Sequence, residues 1–199
     1  MNQADEFENG EGDAWFARNK DKLGVKEDPV LDLIEQYVDD VDFVFEVGCA
    51  NGWRLKRIKD LWGGAVSGID PSREAVKAAV GSDVHYGTAR DLGWIDSNSV
   101  DVLIYGFCLY LCDPEDYFKI ALEGDRVLKD GGYLIIHDFD ATDGVPRRVP
   151  YEHKEGIFSH HVAFENLWVG HPWYQILDMW CREDQSFTIL KKDIKGAWK

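Results

Sequence analysis

The chain has 199 residues, of which 45% are hydrophobic and 13% aromatic, enough for one domain with a filled core. Its 37 acidic residues outnumber 22 basic ones, and the net charge of -15 makes nucleic acid an unlikely partner. No apolar run approaches the roughly 18 residues of a membrane helix, and the acidic first residues do not match a secretory signal. We therefore predict a cytoplasmic protein with no membrane partner, and leave its oligomeric state open.

The predicted elements alternate between strand and helix. The first 28 residues, rich in acids and glycine, are predicted to form an arm or lid before a single domain of residues 29–199. Apolar runs then predict strands, and helical spacing predicts the helices between them. The strands are 41–47, 65–69, 84–86, 99–105 and 133–139, and the helices are 53–62, 71–80 and 114–128. This rhythm predicts an α/β fold with a doubly wound parallel sheet.

The end of the chain departs from that rhythm. Two strand-like runs, 173–183 and 186–192, are joined at the short polar turn Glu183-Asp184-Gln185. A short polar turn between two such runs predicts an antiparallel hairpin at one edge of the sheet.

A glycine turn carries the first functional signal. Residues 45–52 read FEVGCANG, an apolar strand that breaks at Gly48 and reaches a second glycine at Gly52. In a doubly wound sheet, the turn after the first strand is where the backbone approaches a nucleotide-like ligand. Asp70 follows 22 residues after Gly48, where a carboxylate can accept hydrogen bonds from both ribose hydroxyls. The pattern predicts an adenosine-containing ligand.

The spacing of this turn disfavours a phosphate-binding loop. The dinucleotide pattern G-x-G-x-x-G would need glycines where the chain has Ala50 and Trp53. The phosphate loop GxxxxGK[ST] is absent as well. A nicotinamide-dependent oxidoreductase is therefore the less favoured alternative.

Several segments, taken in order, resemble class I S-adenosylmethionine-dependent methyltransferases. Residues 46–52, EVGCANG, resemble the family's E/D-x-G-x-G-x-G motif, and SGIDPS contains an acid similar to its ribose-binding residue. The stretches GTARDL, SNSVDVLIYGFCLYL and RVLKDGGYLIIHDF resemble its later motifs. The resemblance implies a Rossmann-like, mostly parallel seven-stranded sheet ending in an antiparallel hairpin. It also implies S-adenosylmethionine as cofactor and S-adenosylhomocysteine as product.

Two further segments narrow the resemblance. The arm sequence GDAWFARNK is similar to that of methylases associated with surface-polysaccharide and nonulosonic-acid biosynthesis, and HKEGIFSHHVAFENLW resembles another segment of that group. The implied reaction is methyl transfer to a small-molecule or saccharide-like acceptor.

The resemblance also implies a set of cofactor-binding residues. The turn would approach the carboxypropyl group, and the acid of the second strand would hold the ribose. The adenine amine would be met by the Thr88 hydroxyl, by Asp91 or by the backbone near Ala89 and Arg90. The end of the fourth strand would lie under the sulfonium, and the arm would close over the cofactor carboxylate. These residues are Glu46, Gly48, Cys49, Ala50 and Gly52; Asp70 and Pro71; Thr88, Ala89 and Arg90; Gly106 and Phe107; and Trp15, Arg18 and Asn19.

Methyl transfer requires a base only if the acceptor must lose a proton. His137, at the end of the fifth strand, is the first candidate because histidine titrates near neutrality, and Tyr110 is the second. A structural histidine is the alternative. Residues 151–161 are predicted to cover the acceptor, with Arg147, Arg148 and Lys154 as possible contacts for an acidic sugar.

Other interpretations stay open at this point. Asp70 precedes Pro71 and Ser72, so it could only cap a helix. Ala50 and Thr88 depart from the family pattern, so the chain could bind the cofactor without catalysing transfer. The cysteines form no CxxC pair and the histidines form no HxxxH or HExxH pattern, so we expect no metal.

Overall fold

The structure, a computed structural model, describes residues 2–141 and 143–196. Seven strands form one sheet in the order β3-β2-β1-β4-β5-β9-β8. Strands β1 to β5 are parallel, and β9 runs antiparallel to both β5 and β8. Their bounds are β1 Phe43–Val47, β2 Ala65–Asp70, β3 Asp83–Tyr86, β4 Val100–Gly106, β5 Leu128–Phe139, β8 Tyr174–Arg182 and β9 Gln185–Lys192. The doubly wound sheet with a C-terminal hairpin is confirmed.

Helices cover both faces of the sheet. Helices α3 (Pro29–Tyr37) and α4 (Trp53–Trp62) pack on one face, and α6 (Tyr117–Val127) and α7 (Asn166–Val169) pack on the other. Side chains of a strand alternate between the two faces of the sheet. Val44 therefore packs in the core beneath α3 and α4, while Phe45 and Val47 pack in the core beneath α6 and α7. The sheet is therefore buried on both sides, as a parallel sheet requires.

Two predicted helices differ from the observed ones. Helix α5 spans Arg73–Lys77, and it begins at Arg73 because the Ser72 hydroxyl accepts a hydrogen bond from the backbone N–H of Ala75 and caps the helix there. The predicted helix at 114–128 begins as a 3₁₀ turn, Pro114–Asp116, and continues as α6.

The insertion before the hairpin contains two strands that the sequence did not predict. β6 (Arg147–Pro150) and β7 (Phe158–His161) pair antiparallel as a separate two-stranded ribbon. Arg148 stacks over the Phe158 ring at 3.5 Å, while Arg147 pairs with Asp143. The predicted cover at 151–161 is thus the turn and second strand of this ribbon.

The amino-terminal arm is helical. It comprises α1 (Gln3–Glu6), a π-helical segment Phe7–Glu11, α2 (Gly12–Asn19) and a 3₁₀ turn Lys20–Lys22. The π-helical segment includes Gly10 at a positive φ of 128°, where the helix kinks. None of the described helices has the length and apolar character needed to span a bilayer.

Polar contacts tie the arm to the sheet domain at two points along its length. The Asp13 carboxylate accepts hydrogen bonds from the Ser72 hydroxyl at 2.7 Å and from the backbone N–H of Glu74 at 2.9 Å. Near the start of the arm, the backbone N–H of Gln3 donates to Asp113 at 2.8 Å. The arm is thereby held across the carboxyl ends of the parallel strands.

Candidate active site

A cavity lies between the arm and the carboxyl ends of β1, β2 and β4. It encloses about 780 Å³ of empty space, counting its open mouth. The arm supplies Ala4, Phe7, Gly12 and Trp15, and the sheet domain supplies Val47, Gly48, Ile69, Asp70, Pro71, Gly87, Thr88, Ala89, Arg90, Phe107, Cys108, Leu111, Cys112, Asp113 and Asp116.

The two glycines of the turn after β1 have different structural roles. Gly48 has a positive φ of 75°, and a β-carbon there would lie 2.5 Å from the Cys108 β-carbon. Gly48 lines the cavity, so its bare backbone keeps the turn close to the loop after β4. Gly52 also has a positive φ, 71°, but a β-carbon there would overlap the Ser82 hydroxyl. Gly52 therefore serves packing against the chain before β3 and does not line the cavity.

Replacing Gly48 with alanine is expected to cost about 1–3 kcal/mol more than replacing Gly131 with alanine. Both glycines have positive φ, 75° and 85°, but a β-carbon at Gly131 would meet nothing within 4 Å. Both substitutions share the backbone strain, and only the first adds a collision. Urea unfolding of the two variants measures the difference, and equal midpoints would contradict the steric account.

Asp70 lies at the end of β2 and lines the cavity. Its Oδ2 accepts the backbone N–H of Ala50 at 2.8 Å, and its Oδ1 accepts that of Ser72 at 2.9 Å. These two bonds use about half of the roughly four acceptor positions of a carboxylate. Burial raises the pKa of Asp70 to about 6. Asp70 thus fixes the turn and still offers acceptor positions to a ligand.

Glu46 does not reach the cavity. It lies on the opposite face of β1 from Val47, is almost fully buried, and pairs with Arg54 of α4. Arg54 also donates from Nε to Asp28 Oδ2 at 2.6 Å, which makes a buried cluster of two carboxylates and one guanidinium. A β-carbon at Gly106 would overlap Glu46 Oε1, so Gly106 makes room for this cluster. Arg54 engages Glu46 Oε1, whereas Oε2 has no hydrogen-bond partner among the described residues, and the ligand contact of Glu46 stays a prediction.

The loop after β4 forms the opposite wall and depends on Asp138 of β5. One carboxylate oxygen of this buried residue accepts the backbone N–H groups of Cys108, Leu109 and Tyr110 at 3.1, 2.7 and 3.4 Å. Its other oxygen accepts that of Phe139 at 2.8 Å. Asp138 had no predicted role beside His137, although strand alternation sends their side chains to opposite faces.

Phe107 opens this loop in a left-handed conformation. It has a positive φ of 60°, which is uncommon for a bulky residue, and its side chain lines the cavity. Its ring contacts those of Tyr110, His137 and Phe139 at centroid distances of 4.9, 5.1 and 4.7 Å. The aromatic neighbours hold the strained backbone in place.

Neither predicted base lines the cavity. His137 Nε2 is hydrogen-bonded to Gln185 at 3.0 Å, and its ring stacks on Phe187 at 4.3 Å. Burial lowers the pKa of His137 to about 4, so it is a weak base at neutral pH. Burial raises the pKa of Tyr110 above its usual value, and its ring packs against those of Phe107 and Phe139. These contacts fit structural roles.

Of the three arm residues predicted to bind the cofactor, one lines the cavity and two do not. Trp15 lines the cavity as expected. Arg18 instead pairs with Glu11 at 2.6 Å and donates to the Tyr151 hydroxyl at 3.0 Å, while Asn19 donates to the Trp15 carbonyl at 2.9 Å. Neither Arg18 nor Asn19 lines the cavity.

The remaining predicted cofactor-binding residues lie in the loops after the strands, and some line the cavity while others are buried. Pro71, Thr88, Ala89 and Arg90 line the cavity. The side chains of Cys49 and Ala50 are buried beneath the turn, with Ala50 at a positive φ of 50°. Among residues 2–141 and 143–196, no group of three or more His, Cys, Asp or Glu side chains is arranged to hold a metal ion.

The comparisons with known proteins agree with this geometry. Residues 45–136 match the sequence model of the family described as "Methyltransferase domain", which spans β1 to β5. No curated protein matches the chain.

Solved structures share the fold across the chain. A putative methyltransferase from Haloferax volcanii, in complex with the Trm112 methyltransferase activator, is 18% identical over 96% of this chain and 97% of that one, with a TM-score of 0.73. The Burkholderia thailandensis 1,6-didemethyltoxoflavin-N1-methyltransferase, with bound 1,6-didemethyltoxoflavin and S-adenosylhomocysteine, is 14% identical over 96% and 90%, with a TM-score of 0.73. A SAM-dependent methyltransferase from Methanosarcina mazei is 19% identical over 82% and 98%, with a TM-score of 0.66.

The family match covers the strands and loops that build the cavity, and the structural matches extend over the arm and the hairpin. Residues 45–136 therefore match the methyltransferase domain family, and the chain shares the fold of solved S-adenosylmethionine-dependent methyltransferases.

Proposed function

We propose that this protein transfers a methyl group from S-adenosylmethionine to a small-molecule or saccharide-like acceptor. The observation that supports it most directly is Asp70, a carboxylate with free acceptor positions, beside the left-handed turn at Gly48 in a largely apolar cavity. The likeness of the arm sequence to polysaccharide-associated methylases favours the saccharide-like acceptor.

The residues present fit this cofactor. Two further carboxylates, Asp113 and Asp116, face the cavity, and Arg90 is its only lysine or arginine among the described lining residues. Arg90 is already paired with Asp5 at 3.1 Å and with Asp116 at 3.6 Å. The cavity is therefore net negative, which suits a ligand that carries a sulfonium cation.

The chain contributes mainly by holding and enclosing the reactants. When bound, S-adenosylmethionine supplies an electrophilic methyl group, whose carbon–sulfur bond breaks with the electron pair kept by sulfur while the acceptor atom forms the new bond. Asp70 orients the ribose, and the Gly48 turn admits the carboxypropyl chain. Trp15 and Phe7 of the arm exclude water above the site. Holding the two reactants in alignment can by itself lower the activation free energy by about 7–11 kcal/mol.

No side chain among the described cavity residues is needed as a base in this proposal. His137 lies outside the cavity and has a lowered pKa of about 4. The proton of the acceptor passes to water once its atom has been methylated. Replacement of His137 by glutamine should therefore leave the pH dependence of turnover unchanged.

Asp70→Asn is expected to weaken binding of S-adenosylmethionine by about 10- to 100-fold, because one charge-assisted pair is worth roughly 1.5–3 kcal/mol. The matched control is Ser72→Ala, which removes the adjacent helix cap and the hydroxyl contact with Asp13 of the arm but no cavity carboxylate. Calorimetric titration with cofactor and with S-adenosylhomocysteine measures both variants. Equal losses of affinity in the two variants would mean that Asp70 acts only on the local fold.

The alternative functions predict different results. Tight binding of NAD(H) instead of S-adenosylmethionine would favour an oxidoreductase, and cofactor binding without turnover on any acceptor would favour a non-catalytic protein.

Binding should also weaken on the acid side of pH 6. Asp70 has a pKa raised to about 6 by burial, so it becomes protonated as the pH falls through that value and loses acceptor capacity for the ribose. We expect the affinity for S-adenosylhomocysteine to drop severalfold from pH 7.5 to pH 5.0. The same titration of Asp70→Asn should show a nearly flat profile, and a parallel drop in both proteins would assign the effect to another group.

A further inference from the structure

A second groove adjoins the cofactor cavity. It has about 950 Å³ counting its mouth and lies between the tip of the arm, the 113–116 turn and the β6–β7 ribbon. Asp113 and Asp116 line both the groove and the cavity. A molecule bound in the groove would therefore lie next to whatever occupies the cavity.

The groove is negatively charged. Three carboxylates line it, from Asp113, Glu115 and Asp116, against one guanidinium from Arg148. Glu115 is exposed and makes no hydrogen bond or ion pair with the described residues, so its charge is open to a ligand. A positively charged group is the chemical partner that this surface favours.

His160 of the ribbon supplies a second, independent observation. It lines the groove, yet it is only 7% exposed, and its Nδ1 has no hydrogen-bond partner among the described residues. The ring lies edge-on to that of Tyr117 at 6.4 Å, and burial lowers the pKa of the imidazole. Buried polar atoms without partners are uncommon in folded proteins. A neutral imidazole has one nitrogen that accepts hydrogen bonds and one that donates.

We propose that this groove binds the ammonium group of the methyl acceptor, which makes the acceptor an amine such as an amino sugar or a polyamine. This inference rests on the proposed function. Carboxylates and an imidazole acceptor together match the N–H donors and the charge of an ammonium group. The ammonium anchors the molecule, and another nucleophilic atom of the same molecule reaches the cavity past Asp113.

The test uses the protein saturated with S-adenosylhomocysteine and three probes. Glucosamine and spermidine represent the two sources of an ammonium group, and N-acetylglucosamine is the neutral match for the first. We expect at least one amine to bind at least tenfold more tightly than N-acetylglucosamine. Glu115→Gln should weaken that binding about three- to tenfold, whereas Glu35→Gln, an exposed acid of α3 on the other face of the sheet, should not change it.

The outcomes separate the two proposals. Failure of S-adenosylhomocysteine itself to bind would contradict the proposed function. Normal binding of that product, with amines no better than N-acetylglucosamine or with no effect of Glu115→Gln, would overturn the groove assignment alone. Preferential binding of an acidic sugar such as N-acetylneuraminic acid would also overturn it. His160→Phe gives a second readout, because a phenyl ring has no nitrogen acceptor and should weaken amine binding without altering the affinity for the product.

Discussion

Asp138→Ala is expected to destabilise the protein by at least about 4 kcal/mol and to abolish cofactor binding. The carboxylate is fully buried and accepts four backbone N–H groups, from Cys108, Leu109, Tyr110 and Phe139. Each buried donor left without a partner costs about 1–3 kcal/mol, and bonds to a charged acceptor lie at the high end. The loop that they hold is a wall of the cavity, so binding should fail with it.

Urea unfolding and calorimetric titration together measure both effects. The matched control is Asp91→Ala, since Asp91 also accepts a backbone N–H, that of Gly93 at 3.1 Å, but at an exposed position. We expect little change in that variant. Asp138→Asn keeps the size of the side chain but removes its charge. If this variant were as stable as the wild type, the charge of the Asp138 carboxylate would not be what holds the loop.

Arg54→Met should cost about 3–5 kcal/mol, because it leaves Glu46 and Asp28 buried without their shared guanidinium. Lys56→Met on the same helix removes only an exposed pair with Asp60 and should have little effect. Adding Glu46→Gln to Arg54→Met should recover part of the loss, because it removes one unpaired charge. An additive double variant would contradict direct coupling between the two residues.

The destabilisation caused by Arg54→Met should also depend on pH. Burial raises the pKa of Glu46 from 4.5 to about 7 even with Arg54 in place. A folded-state pKa above the unfolded value means that this group favours folding on the acid side and loses that contribution as pH rises between these values. Arg54→Met removes the charge that lowers the pKa of Glu46, so we expect a smaller loss at pH 5 than at pH 8. A penalty independent of pH would assign the effect to packing.

The order of strands could be anticipated because apolar runs, glycine turns and helical spacing are local features of the chain. The turn at Gly48 and the position of Asp70 followed from the same signals, and the structure places both at the cavity. Their roles in binding remain predictions.

The surroundings of Glu46 and His137 could not be anticipated. A sequence does not reveal which residue of a neighbouring element will face a strand side chain, and Arg54 reaches Glu46 from α4. His137 looked catalytic because it ends a strand beside the site, yet its ring packs against Phe187 of β9. The ribbon formed by β6 and β7 escaped prediction because its four-residue strands are short and its first one is fully exposed.

The position of the arm has a consequence for how often the enzyme can complete a cycle. Phe7 and Trp15 overlie the cavity, while Asp13 and Gln3 attach the arm to Ser72 and Asp113 on either side of it. If the product leaves on the side that the arm covers, at least one of these attachments must break first. The upper limit on turnover would then be the frequency of arm detachment, so substitutions at Asp13 would accelerate or slow product escape without touching the chemistry.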